Sequence, residues 1–169
     1  AKNAQLLRTA LHDPLTGLAN RAAFRNCINT LMNDSAARET SALLFLDGDN
    51  FKYINDTWGH ATGDQVLIEI AIRLMEFSGK RHQSYRIGGD EFAMVLSGVL
   101  SEYEVQRICA DLTQTFHRPF NLHNGHQASM TLSIGYALTR EHDSAEKLQE
   151  LADRNMYQAK HQRAETRVK

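Results

Sequence analysis

Cysteine residues are scarce in this sequence, and long apolar segments that could anchor a chain in a membrane do not occur. Two cysteines occur in 169 residues, and Cys27 and Cys109 show neither CxxC nor Cys/His spacing, so no disulfide framework or zinc site is expected. We expect both thiols to be reduced, as in a reducing compartment. No run of about 20 apolar residues and no charged-then-apolar leader occurs, so the sequence predicts neither a membrane span nor a secretion signal.

A charge excess of either sign is also lacking. The 19 Lys and Arg residues nearly balance the 20 Asp and Glu residues, and no basic stripe with interleaved aromatic residues is visible. Nucleic acid and anionic lipid are therefore not expected as partners, and recognition of phosphate has to come from a few local groups. The length suits one domain, which can bury about two thirds of its unfolded surface without disulfides or metals.

The first residues, "AKNAQLLRTALHD", are helix-like and lack an initiator Met. We expect residues 1–12 to be the end of a helical connector from an upstream region, residues 13–165 to form the domain, and residues 166–169 to be a tail. The intact coding sequence would show how much of the protein precedes the connector.

Hydrophobic periodicity and turn residues predict an alternation of strands and helices. Asn20 can cap a helix, the continuous apolar run "SALLFLD" is typical of a strand buried on both faces, and Asn124-Gly125 favours a hairpin followed by a long strand. Helices are predicted over residues 21–33, 63–77 and 101–116 and from residue 144 onward, and strands over 41–47 and in a hairpin over 85–96. This order predicts an α/β (α+β) fold: one sheet of about five mostly antiparallel strands, covered by helices.

The hairpin predicted over 85–96 carries adjacent carboxylates at its tip. Gly88-Gly89 supplies the positive φ of a tight turn, and Asp90-Glu91 follows it. Read alone, Gly-Gly-Asp-Glu is equally compatible with a solvated turn, because turns favour Gly and Asp for backbone reasons. Asp47 ends the buried strand before it. If the two strands are neighbours, Asp47 and Asp90 can reach one ion, and carboxylate oxygens suit Mg²⁺ or Mn²⁺.

The segment after Asp47 adds groups that suit a triphosphate. The loop "GDNF" offers backbone amides, and Lys52 lies beside it. Taken alone, Lys52 would be interpreted as a solvated surface lysine, but its neighbours favour a role at phosphate. Without a cation, acids brought this close would repel each other and one would take up a proton.

Four ordered motifs carry a resemblance to a known family. "DPLTGLANR", "LDGDNFKYINDTWGHATGD", "RIGGDEF" and "LADRNMYQAK" resemble the GGDEF family of diguanylate cyclases, which condense two GTP molecules into the second messenger cyclic di-GMP. The resemblance spans about Asp13 to Lys160 and implies the palm-like sheet of nucleotide cyclases and polymerases. In detail the sequence is similar to the YfiN type, which implies a cytoplasmic domain of an inner-membrane protein, attached to the membrane only through an upstream region.

The resemblance implies a metal centre and a set of catalytic residues. Asp47 and Asp90 would ligate the catalytic Mg²⁺ or Mn²⁺ ions, two per active site, together with the carbonyl of Gly48. Glu91 would assist at that site, and Lys52 would contribute charge to catalysis.

The resemblance also implies how GTP is held. Asn55 and Asp64 would read guanine, because Asp accepts from the N1–H and 2-amino group while Asn donates to the acceptor edge. The substrate-binding residues would be Asn50 and Phe51 through their amides, Lys52 and Lys160 through their charge, and Asn55 and Asp64. Because the product is a ring of two nucleotides, a second copy of the domain has to supply the other GTP.

Two departures from the family pattern bear on function. The second phosphate-binding arginine is displaced by one position, to Arg163, which leaves its role open. The family's Arg-x-x-Asp pair, which binds the cyclic product, is replaced here by Gly79 and His82 within "SGKRHQ". Neither residue type can grip guanine or phosphate as that pair does, so we expect no product-inhibition site.

Two functions other than a cyclase are compatible with parts of this sequence. A catalytically idle module would bind GTP and signal by contact, but such modules usually lack one of the motif residues that are intact here. A palm-type nucleotidyl transferase acting on nucleic acid is disfavoured by the neutral charge. Incubation with GTP and Mg²⁺ would distinguish all three.

Overall fold

The central sheet is antiparallel and covered by helices on both faces. The structure, a computed structural model, describes residues 2–123 and 125–168, with the side chains at 2, 7 and 163–168 outside the description. In chain order the strands are β1 (Ser41–Gly48), β2 (Gln83–Gly88), β3 (Glu91–Ser97), β4 (Phe120–Asn121), β5 (Gln127–Ala128) and β6 (Leu132–Leu138). The main sheet has the order β2-β3-β1-β6, and β4 pairs with β5 in a separate ribbon.

The predicted mixed fold with a mostly antiparallel sheet is confirmed, but the prediction of about five strands was wrong. Four strands form the main sheet among the described residues. The hairpin expected about Asn124-Gly125 yields only the two-residue strands β4 and β5, which pair with each other. Asn124 itself lies outside the described residues. Strands β4 and β5 do form a hairpin, as the turn residues predict, but these strands are too short to extend the main sheet.

Helices connect and cover these strands. In chain order they are α1 (Lys2–Leu11), α2 (Arg21–Met32), α3 (Ser35–Glu39), α4 (Phe51–Trp58), α5 (His60–Ser78), α6 (Glu102–Thr115) and α7 (Ala145–Val168), with a 3₁₀ turn at Thr139–Glu141. Asn20 caps α2, as predicted, by accepting from the Ala23 amide at 3.0 Å. The predicted helix over 63–77 begins earlier, at His60, and α4 was not predicted. Among the described residues, no helix is both long and apolar enough to cross a bilayer.

Each face of the sheet packs against a different pair of helices. On one face, Leu44 of β1 and Phe92 of β3 belong to a buried cluster with residues of α5 and α6. On the other face, Leu43 of β1 packs with residues of α2 and α7. Strand β1 is therefore buried on both sides, which explains its continuous apolar sequence.

Two packing details fix the helices around the sheet. Gly135 lets α7 lie directly on β6, since a Cβ there would be 2.0 Å from the backbone nitrogen of Met156.

The guanidinium of Arg73, which is 5% exposed, lies 4.1 Å from the ring centroid of Phe120. It also donates to the carbonyls of Thr115, Arg118 and Pro119. These contacts hold the connection between α6 and β4 against α5.

Candidate active site

The acidic residues meet where the end of β1 lies beside the start of β3. Asp47 pairs directly with Glu91 in the antiparallel register. The amide of Gly48 donates to the carbonyl of Asp90 at 3.3 Å. The structure thus brings Asp47, Asp90 and Glu91 to one edge of the sheet, because the strands that carry them are neighbours.

Asp47 is a buried carboxylate that forms an ion pair with Lys160. It is 8% exposed, and its Oδ2 accepts from Nζ of Lys160 at 2.8 Å. Among the described residues, its buried Oδ1 has no hydrogen-bond partner when both aspartates are ionised. The carboxyl of Asp90 can donate to Asp47 only in its protonated form. An ionised pair therefore leaves negative charge and an unsatisfied oxygen at the site.

The protonation of the neighbouring acids reflects this excess of negative charge. Burial, together with the hydrogen bond to Asp47 and repulsion by its charge, raises the pKa of Asp90 to about 6. Burial and the charges of Asp47 and Asp153 also raise the pKa of Glu91 above its usual value. A cation at this edge would remove the penalty, because it favours the ionised form of every acid around it.

The donor set fits a hard divalent cation. Asp47 and Asp90 offer carboxylate oxygens. Gly48 follows Asp47 directly and lies against Met130, because a Cβ at Gly48 would be 2.7 Å from Sδ of Met130 and 3.9 Å from Oδ2 of Asp90. Among the described residues, no group of three or more His, Cys, Asp or Glu side chains is arranged to hold a metal ion. Mg²⁺ commonly takes one or two carboxylates and completes its shell with water and substrate phosphate, so two acids suffice.

The loop after β1 is shaped by a strained residue and a buried acid. Asn50 has φ 65°, a left-handed conformation that asparagine tolerates better than most residues, and α4 begins directly after it at Phe51. Asp49 accepts from the hydroxyls of Thr131 at 2.6 Å and Ser133 at 2.7 Å. These hydrogen bonds anchor the loop between β1 and α4 to the start of β6. Asp49 was not predicted as part of the site, although its place as a second acid directly after a buried strand was a signal for it.

The residues expected to bind GTP fall on α4, α5 and α7. Lys52 is exposed in the first turn of α4, and Asp64 is exposed near the start of α5. Asn55 is half-buried, with its amide against Gly63 of α5. Lys160 of α7 pairs with Asp47, a contact that the sequence did not indicate. Arg163 has no described side chain.

An ion pair between Asp13 and Arg86 links the turn that follows α1 to the tip of the β2–β3 hairpin. Nη1 of Arg86 lies 3.1 Å from both carboxylate oxygens of Asp13, and Arg86 also donates to the Gly89 carbonyl at 3.0 Å. Burial alone would raise the pKa of Asp13, but hydrogen bonds from Thr16 and Arg86 outweigh it and lower the pKa. This ion pair braces the turn that carries Asp90. The pairing of Asp13 with Arg86 was not predicted from the sequence.

The segment at the family's product-binding position is occupied by internal contacts. His82 is 8% exposed, and its Nδ1 accepts from the Ser97 amide at 3.2 Å. Burial and the charge of Arg81 lower the pKa of His82. Arg81 donates to the Ser97 carbonyl at 2.9 Å and pairs with Glu104 at 2.9 Å. Both side chains are therefore engaged within the domain.

Comparison with known sequences identifies the family. The pattern described as "Diguanylate cyclase, GGDEF domain" matches residues 10–166. The chain therefore belongs to the GGDEF domain family of diguanylate cyclases, and the resemblance inferred from the four motifs is confirmed.

Particular relatives share both sequence and fold. Diguanylate cyclase DgcN of Escherichia coli is 80% identical over 100% of this chain and 41% of that protein. The GGDEF domain of TpbB, or YfiN, from Pseudomonas aeruginosa is 41% identical, with a TM-score of 0.84 over 89% of each chain. The coiled coil and GGDEF domain of DgcB from Caulobacter crescentus, in complex with c-di-GMP, is 29% identical with a TM-score of 0.85, over 95% of this chain and 85% of that one. The chain spans about two fifths of the length of the first two curated relatives it matches.

Proposed function

We propose that this chain is the catalytic domain of a diguanylate cyclase, which condenses two GTP molecules into cyclic di-GMP and releases two pyrophosphates. The observation that carries the proposal is the pair of carboxylates, Asp47 and Asp90, held together at a sheet edge beside the loop that begins α4. Family membership supports it, because the motif acids of that family are present here.

Asp47, Asp90 and the Gly48 carbonyl would hold Mg²⁺ or Mn²⁺, two ions per active site. The orphaned Oδ1 of Asp47 and the raised pKa of Asp90 support this assignment, since both are relieved by a cation. Bound divalent ions at such sites lower the pKa of an attacking hydroxyl and stabilise charge on the phosphoryl group. Glu91 lies opposite Asp47 and adds negative charge to the same centre.

The phosphates of GTP would lie over the start of α4. The amides of Asn50 and Phe51 belong to a loop that Asp49 anchors, and Lys52 adds a positive charge in the same turn. Lys160 now neutralises Asp47. When a cation takes over that role, the ammonium group of Lys160 becomes available to phosphate. Asn55 and Asp64 would select guanine.

The reaction needs two domains. In each step a ribose 3′-oxygen attacks the α-phosphorus of the other GTP, the new P–O bond forms, the α–β bridge breaks, and pyrophosphate leaves with the hydroxyl proton passing to solvent. Each domain binds one GTP, so a homodimer assembles the complete site. We expect the rate to rise faster than linearly with protein concentration, because an isolated domain has no partner; linear activity down to nanomolar protein would contradict this.

The cyclic product is not expected to restrain this domain at the family's inhibitory position. Gly79 and His82 replace the Arg-x-x-Asp pair, His82 is buried, and Arg81 is held by Glu104. Calorimetric titration with cyclic di-GMP checks this. Low-micromolar binding that disappears when Lys80 and Arg81 are both changed to alanine would contradict it.

The domain would work at the cytoplasmic end of an inner-membrane protein. The relatives DgcN and TpbB extend well beyond the matched region, which supports a further part in this protein as well, and we place that part upstream. In this arrangement residues 1–12, which include α1, end a connector, and residues 13–165 form the catalytic domain. The proposed tail, 166–169, begins as a continuation of α7, which runs to Val168.

A catalytically idle GTP-binding module remains the alternative function. Incubation of the chain at high concentration with GTP and Mg²⁺, followed by chromatography, separates the two: a cyclase yields cyclic di-GMP and pyrophosphate, whereas an idle module returns GTP unchanged.

A further inference from the structure

Gly63 lies where the first turn of α5 folds back against the last turn of α4. A single residue, Gly59, joins the two helices with φ 91°. Its amide donates to the Asn55 carbonyl at 2.9 Å, and the amide of Gly63 donates to the Gly59 carbonyl at 3.1 Å. This tight joint places the buried Gly63 next to the side chain of Asn55, eight residues earlier.

The space beside Gly63 is filled by the amide group of Asn55. A Cβ built on Gly63 would lie 1.8 Å from Oδ1 and 2.9 Å from Cγ of Asn55, while the ring of Phe51 stands at 3.4 Å. Gly63 lies inside α5 and is not among the positive-φ glycines, so its backbone does not require glycine. Alanine is the better helix former. The glycine is therefore explained by the Asn55 side chain, which occupies the space that a side chain at residue 63 would need.

We infer that Gly63 is a positioning residue for guanine recognition: its missing side chain provides the space in which the Asn55 amide is held. The atoms that a methyl group would meet belong to the free end of a side chain, which can rotate away at little cost to the fold. The change would therefore displace the amide and leave both helices in place. This inference rests on the proposed function, because it takes Asn55 as a reader of guanine.

The variant Gly63→Ala tests the inference through nucleotide selectivity. Equilibrium titration in Mg²⁺ should show GTP affinity falling about three- to tenfold, the value of one lost hydrogen bond to a neutral partner. ITP should lose the same factor, because it keeps the O6 acceptor that an Asn amide donates to. ATP, which lacks that acceptor, should bind as before. Thermal unfolding should show an unchanged or raised Tm.

The variant Asn55→Ala supplies the matched control. It should lose GTP affinity by a similar factor, and adding Gly63→Ala to it should cost nothing more, because no amide remains to be displaced. Additive losses in the double variant, an equal loss for ATP, or a Gly63→Ala chain that fails to fold would each overturn the inference.

The same titrations separate this inference from the proposed function. If the unaltered chain binds GTP no better than ATP, the proposed guanine site is wrong, and the role of Gly63 is wrong with it. If the unaltered chain prefers GTP and Gly63→Ala retains both its GTP affinity and that preference, only the role of Gly63 is overturned.

Discussion

Neutralising Asp90 should stabilise the metal-free chain at neutral pH while abolishing catalysis. The pKa of Asp90 is raised to about 6, mainly by burial and then by Asp47, whereas an aspartate in the unfolded chain titrates near 3.8. The stability that the protonated form provides is fully present below about pH 4 and is lost as pH rises through about 6. The variant Asp90→Asn cannot ionise, and its amide can donate to Asp47. Its folded state therefore keeps this stability when the pH rises above 6.

The magnitude follows from the size of the shift. Two pKa units correspond to about 3 kcal/mol, but Asp90 is only partly buried, and screening by water reduces this to about 1 kcal/mol. Urea unfolding in EDTA should therefore show Asp90→Asn gaining about 1 kcal/mol at pH 8 and much less at pH 4. Asp111→Asn, an exposed acid on α6, is the control and should change little.

Two outcomes would refute this reasoning. If Asp90→Asn gains nothing at pH 8, the two carboxylates do not repel in the folded chain. If its gain is the same at pH 4 and pH 8, the gain does not come from ionisation. Adding Mg²⁺ supplies a further check: it should stabilise the unaltered chain and have little effect on the variant.

Three other substitutions test packing and recognition. Arg73→Met should lower the free energy of unfolding by about 2–3 kcal/mol in urea titrations, because three carbonyls lose a charged donor. Gly135→Ala should cost about 3 kcal/mol or more by the same measurement, since the Cβ would collide with the backbone of α7 rather than with a movable side chain. Asp64→Ala should weaken binding of GTP more than of ATP in equilibrium titrations; equal losses would count against its role in reading guanine.

The sequence predicted the elements whose burial leaves a clear pattern. Strand β1 was predicted because both of its faces are buried, so its residues are continuously apolar. The α2 cap at Asn20 was predicted because capping chemistry is local. Helix α4 was missed because its eight residues make only about two turns, too short a window for the helical spacing of Phe51, Ile54 and Trp58 to stand out. The prediction of a fifth strand in the main sheet was wrong, because turn residues indicate where a hairpin turns but not how long its two strands are.

Contacts between distant parts of the chain were beyond sequence reasoning. Asp13 and Arg86 are 73 residues apart, and nothing in either motif indicates that they pair. Lys160 was expected at phosphate, yet it neutralises Asp47 from 113 residues away. The meeting of Asp47 and Asp90 was expected only on the condition that their strands are neighbours, and the order β3-β1 meets that condition.

The central claim is that paired carboxylates at the edge of this sheet support the joining of two GTP molecules. The most direct measurement incubates the chain at high concentration with GTP and Mg²⁺ and separates the nucleotides by chromatography, with Asp90→Asn as a folded control. We predict that cyclic di-GMP and pyrophosphate form in a ratio of one to two in the unaltered chain and not in Asp90→Asn. Recovery of unchanged GTP from the unaltered chain, or equal synthesis by Asp90→Asn, would contradict the claim.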